Sequence, residues 1–254
     1  MILEQFSLAG KVGIVTGASR GLGAGMAEAL AEAGADLTLV ARSEKQLDAQ
    51  VAHIQSLGRR CLGLRADLTT TTACAKIVQQ TLDHYGSLDI LVNCAGTIWR
   101  GPALELSEKD WDAVLDVNLK AAFFLCQAAG KHMVQQKRGK IINICSLLSF
   151  QGGVLVTPYT ASKSGLAGLT KLLANEWAPH GVSVNGITPG YMATELTEPL
   201  LKDPERTASI LARIPQGRWG TPQDLKGAVV FLASFASDYV QGQMLVVDGG
   251  WLGR

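Results

Sequence analysis

The stretch TGASRGLG (16–23) fits two motifs that would give the same residues different chemistry. As G-x-S-x-G it makes Ser19 the nucleophile of a serine hydrolase. As a glycine-rich turn it lets Gly17, Gly21 and Gly23 bring the backbone close to the phosphates of a dinucleotide. The segments on either side decide between these two interpretations.

Strand and helix patterns alternate along the chain. The glycine-rich stretch follows a short β-branched run (11–16) and precedes helical spacing (22–34). Further strand patterns lie at 36–41, 61–66, 88–93, 139–145, 182–187 and 243–248, and further helical patterns at 43–58, 70–85, 107–136 and from 158 onward. Because parallel strands need helices to return the chain, we expect a single α/β domain (1–254) with a doubly wound, seven-stranded parallel sheet, Rossmann-like in form.

The position of the glycine-rich turn favours the dinucleotide. A hydrolase nucleophile follows several strands, whereas this turn follows the first, and the four histidines (53, 84, 132 and 180) lie in or at the ends of predicted helices. Strand, glycine turn and helix in this order form a dinucleotide-binding unit, here with the spacing G-x-x-x-G-x-G. We therefore predict that Gly17 to Gly23, with Ser19, Arg20 and Leu22, holds the phosphates of NADP or NAD.

Composition argues against several classes of function. The 23 basic and 22 acidic residues nearly cancel, so no charge pattern indicates a nucleic-acid or membrane partner. The five cysteines show no C-x-x-C spacing, and we expect neither a disulfide scaffold nor a metal site. The sequence begins without the pattern of a signal peptide, and no uninterrupted apolar run approaches about 18 residues. We expect a cytoplasmic protein with a small-molecule substrate.

The residues after the second strand bear on the choice between NAD and NADP. An acidic residue about 20 positions beyond the turn would bind the ribose hydroxyls of NAD. Ala41 stands there instead, and Arg42 follows it. Arg42 and Arg20 could pair with the 2′-phosphate of NADP, which is therefore slightly favoured. The alternative is two solvated arginines and NAD as cofactor.

One of the four tyrosines has a lysine one helical turn away. In TPYTASKSG (157–165), Thr157 is predicted to cap a helix, Pro158 suits its first turn, and Tyr159 and Lys163 then share one face. A phenol, with an ordinary pKa of about 10, is a poor base at neutral pH, but a neighbouring ammonium stabilises the phenolate. This pair predicts a general acid/base. The alternative is an ordinary surface pair, since Y-x-x-x-K is common by chance.

The glycine-rich turn and the tyrosine–lysine pair make the chain resemble the short-chain dehydrogenase/reductase family. Other motifs of that family follow in its order: Asp67 in ADLT, NCAG (93–96), Asn118 in DVNL, Ser146 thirteen residues before Tyr159, and PGYMAT (189–194). The resemblance covers essentially the whole chain. It implies a Rossmann-like fold, a nicotinamide cofactor and, typically, a tetramer.

The resemblance also implies a role for each matching residue. Tyr159 exchanges a proton with the substrate oxygen, Lys163 holds the nicotinamide ribose, and Ser146 hydrogen-bonds the reacting hydroxyl or carbonyl. Asn118 supports a water relay to Lys163. The other implied cofactor contacts are Asp67 and Leu68 at the adenine, Asn93, Ala95 and Gly96 along the adenosine half, and Pro189, Gly190 and Thr194 at the nicotinamide. Cys94 stands where the family usually has a second Asn, a change that a turn supported by backbone contacts should tolerate.

Four longer stretches resemble the members of this family that act on sugar acids. They are KIINICSLLSFQGG (140–153), LANEWAPHGVSVNGITPGYMAT (173–194), RIPQGRWG (213–220) and VDGGWLGR (247–254). Those members usually use NAD, so Arg42 in VARS (40–43) departs from their pattern. A sugar acid needs a cation for its carboxylate, and we predict that Arg100 pairs with it while Gln151 reaches a hydroxyl. A surface role for Arg100 is the alternative.

Residues 190–225 hold four of the eight prolines, and we expect them to be irregular and to form a lid over the site. Small residues among leucines in the helix from 158 predict burial on more than one side, as in a homotetramer. A monomer that buries this helix under its own lid is the alternative.

The expected function is an NAD(P)-dependent oxidoreductase that moves a hydride between nicotinamide and a secondary alcohol or ketone of a sugar acid. Two other functions stay open. A 3-oxoacyl-thioester reductase shares the fold and the core motifs, although the balanced charge offers no obvious docking patch for an acyl carrier. A non-catalytic dinucleotide-binding regulator would generally lack the tyrosine or the lysine.

Overall fold

The computed structural model describes residues 1–254 and contains one seven-stranded sheet. The strands are β1 (Val12–Thr16), β2 (Asp36–Ala41), β3 (Cys61–Arg65), β4 (Ile90–Asn93), β5 (Gly139–Ile144), β6 (Val182–Pro189) and β7 (Met244–Val247). All neighbouring strands are parallel, in the order β3-β2-β1-β4-β5-β6-β7. The predicted doubly wound sheet is confirmed. Its strand order reverses between β1 and β4, where ligands of such sheets bind.

Nine α-helices connect the strands and cover both faces of the sheet. They are α1 (Gly21–Glu32), α2 (Glu44–Ser56), α3 (Thr71–Tyr85), α4 (Glu108–Leu115), α5 (Ala121–Gln135), α6 (Thr157–Trp177), α7 (Glu198–Leu201), α8 (Pro204–Leu211) and α9 (Lys226–Ala233). Side chains of α1, α2 and α9 form the core on one face, and those of α3, α5 and α6 form it on the other. Because both faces are covered, β1, β4 and β6 are buried along their whole length.

The predicted helical region 107–136 is continuous but changes its winding in the middle. A π-helical turn (Asp116–Lys120) joins α4 to α5 and carries Asn118, which is fully buried. Single π turns inside α-helices occur frequently at functional sites. The hydrophobic spacing around this turn gave no sign of it.

The same stretch, Glu108–Gln135, is long and apolar enough to cross a membrane if length and composition alone are considered. Leu125, Ala129 and Met133 of α5 are nonetheless buried in the core, in one cluster with Ile77 and Val78 of α3. Its apolar side chains are therefore accounted for by packing within this fold.

Three further details differ from the expectations. The helix α6 begins at Thr157 itself and no side chain caps it, so the predicted N-cap is wrong. Pro158 has no N–H, which leaves one fewer donor for a cap to satisfy. Residues 190–225 are less irregular than expected, since they contain α7 and α8. The helix α9 went unpredicted because KGAVVFLA (226–233) is apolar almost all round and shows no helical period.

Candidate active site

The predicted site residues gather at the carboxyl ends of the central strands. The glycine-rich turn follows β1, and Ser146 comes two residues after β5. The motifs NCAG (93–96) and PGYMAT (189–194) begin at the last residues of β4 and β6. A cavity of about 380 Å³ lies instead where the strands begin, lined by Lys11, Asp89 and Lys140 among others, and contains none of the predicted residues. The chemistry of the side chains, not cavity size, therefore locates the site.

The backbone of the glycine-rich turn requires glycine at three positions. Gly17 and Gly21 have positive φ angles of 66° and 56°. A Cβ on Gly23 would lie 2.3 Å from the carbonyl oxygen of Gly17, and one on Gly17 would lie 2.9 Å from Cα of Ala95. The turn leads directly into α1, whose N-terminus has no side-chain cap. Its free N–H groups suit an anion, so the turn fits a pyrophosphate.

Thr16, at the end of β1, fastens the glycine-rich turn to the NCAG turn. Its Oγ1 accepts hydrogen bonds from the backbone N–H groups of Cys94 and Ala95, both at 3.1 Å. Asn93 is buried and donates to Oδ1 of Asn143 at 2.9 Å. Cys94 contributes its backbone here, and burial raises the pKa of its thiol to about 11. These contacts explain how Cys can stand at this position.

The adenine end of the predicted site is open to solvent. Arg42 directly follows β2 and is exposed, while Leu68 is buried. The Oδ1 atom of Asp67 accepts the N–H of Thr69 at 3.0 Å. This hydrogen bond, with a smaller contribution from the charge of Arg42, lowers the pKa of Asp67. Asp67 is therefore a carboxylate at neutral pH, with Arg42 close enough to sense its charge.

Tyr159 and Lys163 lie on α6 as the spacing predicted. The ammonium of Lys163 is 5.7 Å from the centroid of the Tyr159 ring. Lys163 is 4% exposed, and its one hydrogen bond goes to the carbonyl oxygen of Ile144 at 2.6 Å. Because an ammonium carries three donors, two remain for other groups. A buried cation with spare donors beside a phenol fits the hydroxyls of a bound ribose.

Asn118 connects the π-helical turn to the loop after β4. Its Oδ1 accepts the N–H of Thr97 at 2.8 Å, and its Nδ2 donates to the Thr97 carbonyl at 2.9 Å and to Oγ of Ser162 at 3.1 Å. A Cβ built on Gly96 would lie 3.4 Å from Oδ1 of Asn118 and 3.9 Å from Nζ of Lys163. The two predicted relay groups therefore border one small space.

Ser146 is held by its own loop. Its Oγ accepts the N–H of Leu148 at 3.2 Å, and its backbone N–H donates to Ser149, which in turn donates to the carbonyl of Lys163 at 2.8 Å. Gln151, further along, is partly buried and its side chain makes no hydrogen bond within the chain. The loop of Ser146 is thus tied to α6.

Two of the three predicted anion-binding arginines, Arg20 and Arg100, contact the 190–225 segment. Arg100 donates to the carbonyl of Leu196 at 3.0 Å. Arg100 is solvent-exposed as a residue, and partial burial of its guanidinium lowers its pKa. Tyr159 and Tyr191 are near enough that their phenolate forms would offset part of this lowering, so Arg100 lies in the neighbourhood of the predicted acid/base. Arg20 forms an ion pair with Glu195, so it is not the free cation that the sequence suggested.

Beyond PGYMAT, the chain is anchored by aromatic packing that the motifs did not reveal. Pro189 ends β6, and the N–H of Gly190 donates to Val247 of β7 at 2.9 Å. The ring of Tyr191 packs edge-on against Trp219, with ring centroids 5.4 Å apart. It also packs at a tilt against Trp251, with centroids 4.8 Å apart. The hydroxyl of Thr197 donates to the carbonyl of Thr194 at 3.0 Å. The one sign of this packing in the sequence was that Tyr191 belongs to the PGYMAT motif.

Comparison with known proteins agrees with the motifs. The short chain dehydrogenase family matches residues 11–205. The chain is 54% identical to 2-dehydro-3-deoxy-D-gluconate 5-dehydrogenase of Escherichia coli (strain K12), with 100% of both chains covered. It is 44% identical to gluconate 5-dehydrogenase of Gluconobacter oxydans (strain 621H), with 97% of this chain and 96% of that protein covered.

A solved structure is similar over the entire chain. The crystal structure of a gluconate 5-dehydrogenase from Burkholderia cenocepacia J2315, in complex with NADP and tartrate, has a TM-score of 0.96 at 37% identity, with 100% of both chains covered. The resemblance expected from the motifs is confirmed. The chain belongs to the short-chain dehydrogenase family and is an oxidoreductase of that family.

Proposed function

We propose that this chain is an NAD(P)-dependent oxidoreductase that moves a hydride between nicotinamide and a secondary alcohol or ketone of a sugar acid, of the 2-dehydro-3-deoxygluconate or 2-deoxygluconate type. The observation that carries the proposal is the position of Arg100: this exposed residue donates from its guanidinium to the carbonyl of Leu196, just after the PGYMAT motif, and lies in the neighbourhood of Tyr159. A guanidinium near the acid/base suits a substrate whose carboxylate is a few bonds from the reacting carbon. The names of the relatives from E. coli and G. oxydans support the same class of substrate.

Tyr159 exchanges the proton in the proposed reaction. During reduction its hydroxyl donates a proton to the substrate carbonyl oxygen, and during oxidation the phenolate takes the proton of the alcohol. Ser146 hydrogen-bonds the same oxygen and holds it toward Tyr159. The ammonium of Lys163, 5.7 Å from the ring centroid, stabilises the phenolate. When bound, nicotinamide supplies or accepts the hydride at its C4 carbon.

The proton on Tyr159 needs a route to solvent because the ring is partly buried. Asn118 and Lys163 border one space above Gly96. A water there could bond both groups, since Oδ1 of Asn118 accepts and Nζ of Lys163 donates. Asn118 is then a positioning residue of the relay, held by its two hydrogen bonds with Thr97.

The cofactor is proposed to lie along the carboxyl edge of the sheet. The uncapped N-terminus of α1 and the glycine-rich turn would hold the pyrophosphate, and Asp67 with Leu68 would border the adenine. Arg42 is available to a 2′-phosphate, which slightly favours NADP over NAD. The B. cenocepacia relative, whose crystal contains NADP, supports this preference.

The working form is proposed to be a cytoplasmic homotetramer with residues 190–225 as its lid. Leu172 of α6 is 48% exposed, and a Cβ on Gly168 of the same helix would meet no atom within 4 Å. An exposed leucine one turn from an open glycine allows another helix to approach closely. Light scattering of the purified protein measures this, with four chains expected and one chain contradicting it.

A substrate panel tests the function. Initial rates are compared for 2-dehydro-3-deoxygluconate, gluconate, 2-deoxygluconate and a 3-oxoacyl thioester, each with both cofactors in the appropriate redox state. We expect kcat/KM for a sugar acid to exceed that for the thioester by about 100-fold or more. Preference for the thioester would support the reductase alternative instead. Cofactor binding without any turnover would support a regulator.

A further inference from the structure

Arg20 and Glu195 contact each other beside the glycine-rich turn. Arg20 is the last residue before α1, and Glu195 begins a short 3₁₀ turn (Glu195–Thr197) after β6. The two side chains form an ion pair although they lie 175 residues apart in sequence. A Cβ built on the neighbouring Gly21 would lie 3.8 Å from Thr194. The start of the lid therefore touches the glycine-rich turn at this point.

The ion pair is one of two arginine contacts that fasten the same short segment. Arg20 holds the side chain of Glu195, while Arg100 holds the carbonyl of Leu196 from the other side. The two contacts differ in the charge of the group that accepts the hydrogen bond. A carbonyl leaves the positive charge of Arg100 free for an anion, whereas the carboxylate of Glu195 neutralises that of Arg20.

The Arg20–Glu195 ion pair would affect how the site binds the 2′-phosphate of NADP. Arg20 and Arg42 are the two cations predicted for this group, and Arg42 forms no ion pair within the chain. The 2′-phosphate of NADP would approach a guanidinium that already carries a carboxylate partner, so the two anions repel each other. NAD has no 2′-phosphate and is not affected by this repulsion.

Building on the proposed dinucleotide binding, we propose that Glu195 is a cofactor-selectivity residue, which occupies Arg20 and thereby weakens NADP relative to NAD. Arg42 then provides the main attraction for the 2′-phosphate. Residues of the lid thus influence the choice of cofactor as well as access to the substrate. Under this proposal, the arginines at positions 20 and 42 and the lack of an acidic residue at 41 do not exclude NAD as the cofactor.

The Glu195→Gln variant tests the proposal by direct binding. Dissociation constants for NADPH and NADH are measured by nicotinamide fluorescence, without any substrate. An exposed ion pair contributes up to about 1 kcal/mol, so we expect NADPH to bind roughly three- to fivefold tighter and NADH to change less than twofold. The gain for NADPH should shrink at about 0.5 M salt, because screening weakens the repulsion.

Two companion variants make the test specific. Glu198→Gln changes an acid of the same segment that pairs with Lys202 at 2.6 Å, and it should leave both dissociation constants unchanged. In an Arg20→Gln background, Glu195→Gln should tighten NADPH less than it does in the parent, because only the repulsion is then relieved and no guanidinium is freed. An unchanged NADPH/NADH ratio in Glu195→Gln, or equal weakening of both, would overturn the proposal. Because binding is measured alone, failure of the substrate panel would count only against the sugar-acid function.

Discussion

The two halves of the predicted cleft are built by different means. The adenosine half consists of backbone: glycines that leave no room for a Cβ, and backbone N–H groups held by Thr16. The predicted catalytic half consists of side chains from α6, the π-helical turn and the loop after β5. The adenosine half should therefore tolerate changes of side chain, as Cys94 illustrates, but no added bulk at its glycines. The catalytic half should show the opposite sensitivity.

The largest expected effect separates chemistry from binding in the catalytic half. Tyr159→Phe removes the hydroxyl but keeps the ring beside Lys163, so we expect kcat to fall roughly 10²- to 10⁴-fold. Cofactor dissociation constants should stay within about twofold, because the adenosine half is untouched. Steady-state rates and fluorescence titration measure the two quantities. A variant that turns over as fast as the parent would remove Tyr159 from the mechanism.

Added bulk in the adenosine half should have the reverse effect. In Gly23→Ala, the new Cβ would lie 2.3 Å from the carbonyl oxygen of Gly17, so the turn must shift. Overpacking of this kind costs about 1–3 kcal/mol, and we expect both cofactors to bind roughly 10- to 100-fold more weakly. Gly227→Ala in α9 is the matched control, since its Cβ meets no atom within 4 Å. Equal cofactor affinity in the two variants would show that the turn does not hold the cofactor.

Arg100 tests whether the catalytic half recognises a carboxylate. Arg100→Gln removes the charge near Tyr159, and we expect KM for a sugar acid to rise roughly tenfold with a smaller change in kcat. KM for a polyol without a carboxylate should not change. If KM for the sugar acid is also unchanged, Arg100 does not bind the carboxylate.

A smaller effect is expected where the 190–225 segment joins the α1 side of the sheet. Two hydrogen bonds from Arg218, at 2.8 and 2.7 Å, and one from the N–H of Thr221 hold the pKa of Asp224 well below its usual range. The stabilisation is thus complete above the pKa of an unfolded Asp, about 4, and is lost as the pH falls further toward the folded value.

Asp224→Asn should therefore lower Tm by about 1–3 °C at pH 7, and the difference from the parent should shrink between pH 4 and pH 3. Asp112→Asn, at an exposed position of α4 without an ion pair, should match the parent throughout. Calorimetry at each pH provides the measurement. If the difference in Tm between Asp224→Asn and the parent stays constant down to pH 3, the ionised carboxylate of Asp224 does not provide the stabilisation.

The same contrast explains how much the sequence could predict. The order strand, glycine turn and helix is local, and Tyr159 and Lys163 are one helical turn apart, so both were visible in the sequence. The residues that Arg20 and Arg100 contact could not be predicted from the sequence. Arg20 meets Glu195 across 175 residues and Arg100 meets Leu196 across 96, and such pairs depend on where the 190–225 segment packs. The aromatic packing of Tyr191 likewise depends on Trp251 at the end of the chain.

The central claim is that this chain transfers a hydride between nicotinamide and a sugar acid, with Tyr159 moving the proton. Oxidised cofactor is incubated with the protein and 2-dehydro-3-deoxygluconate that carries deuterium on its secondary-alcohol carbons, and the reduced cofactor that forms is examined by NMR. The account predicts deuterium on one face of nicotinamide C4, and almost no reduced cofactor with Tyr159→Phe. Reduced cofactor without deuterium, or reduced cofactor formed equally fast by Tyr159→Phe, would contradict it.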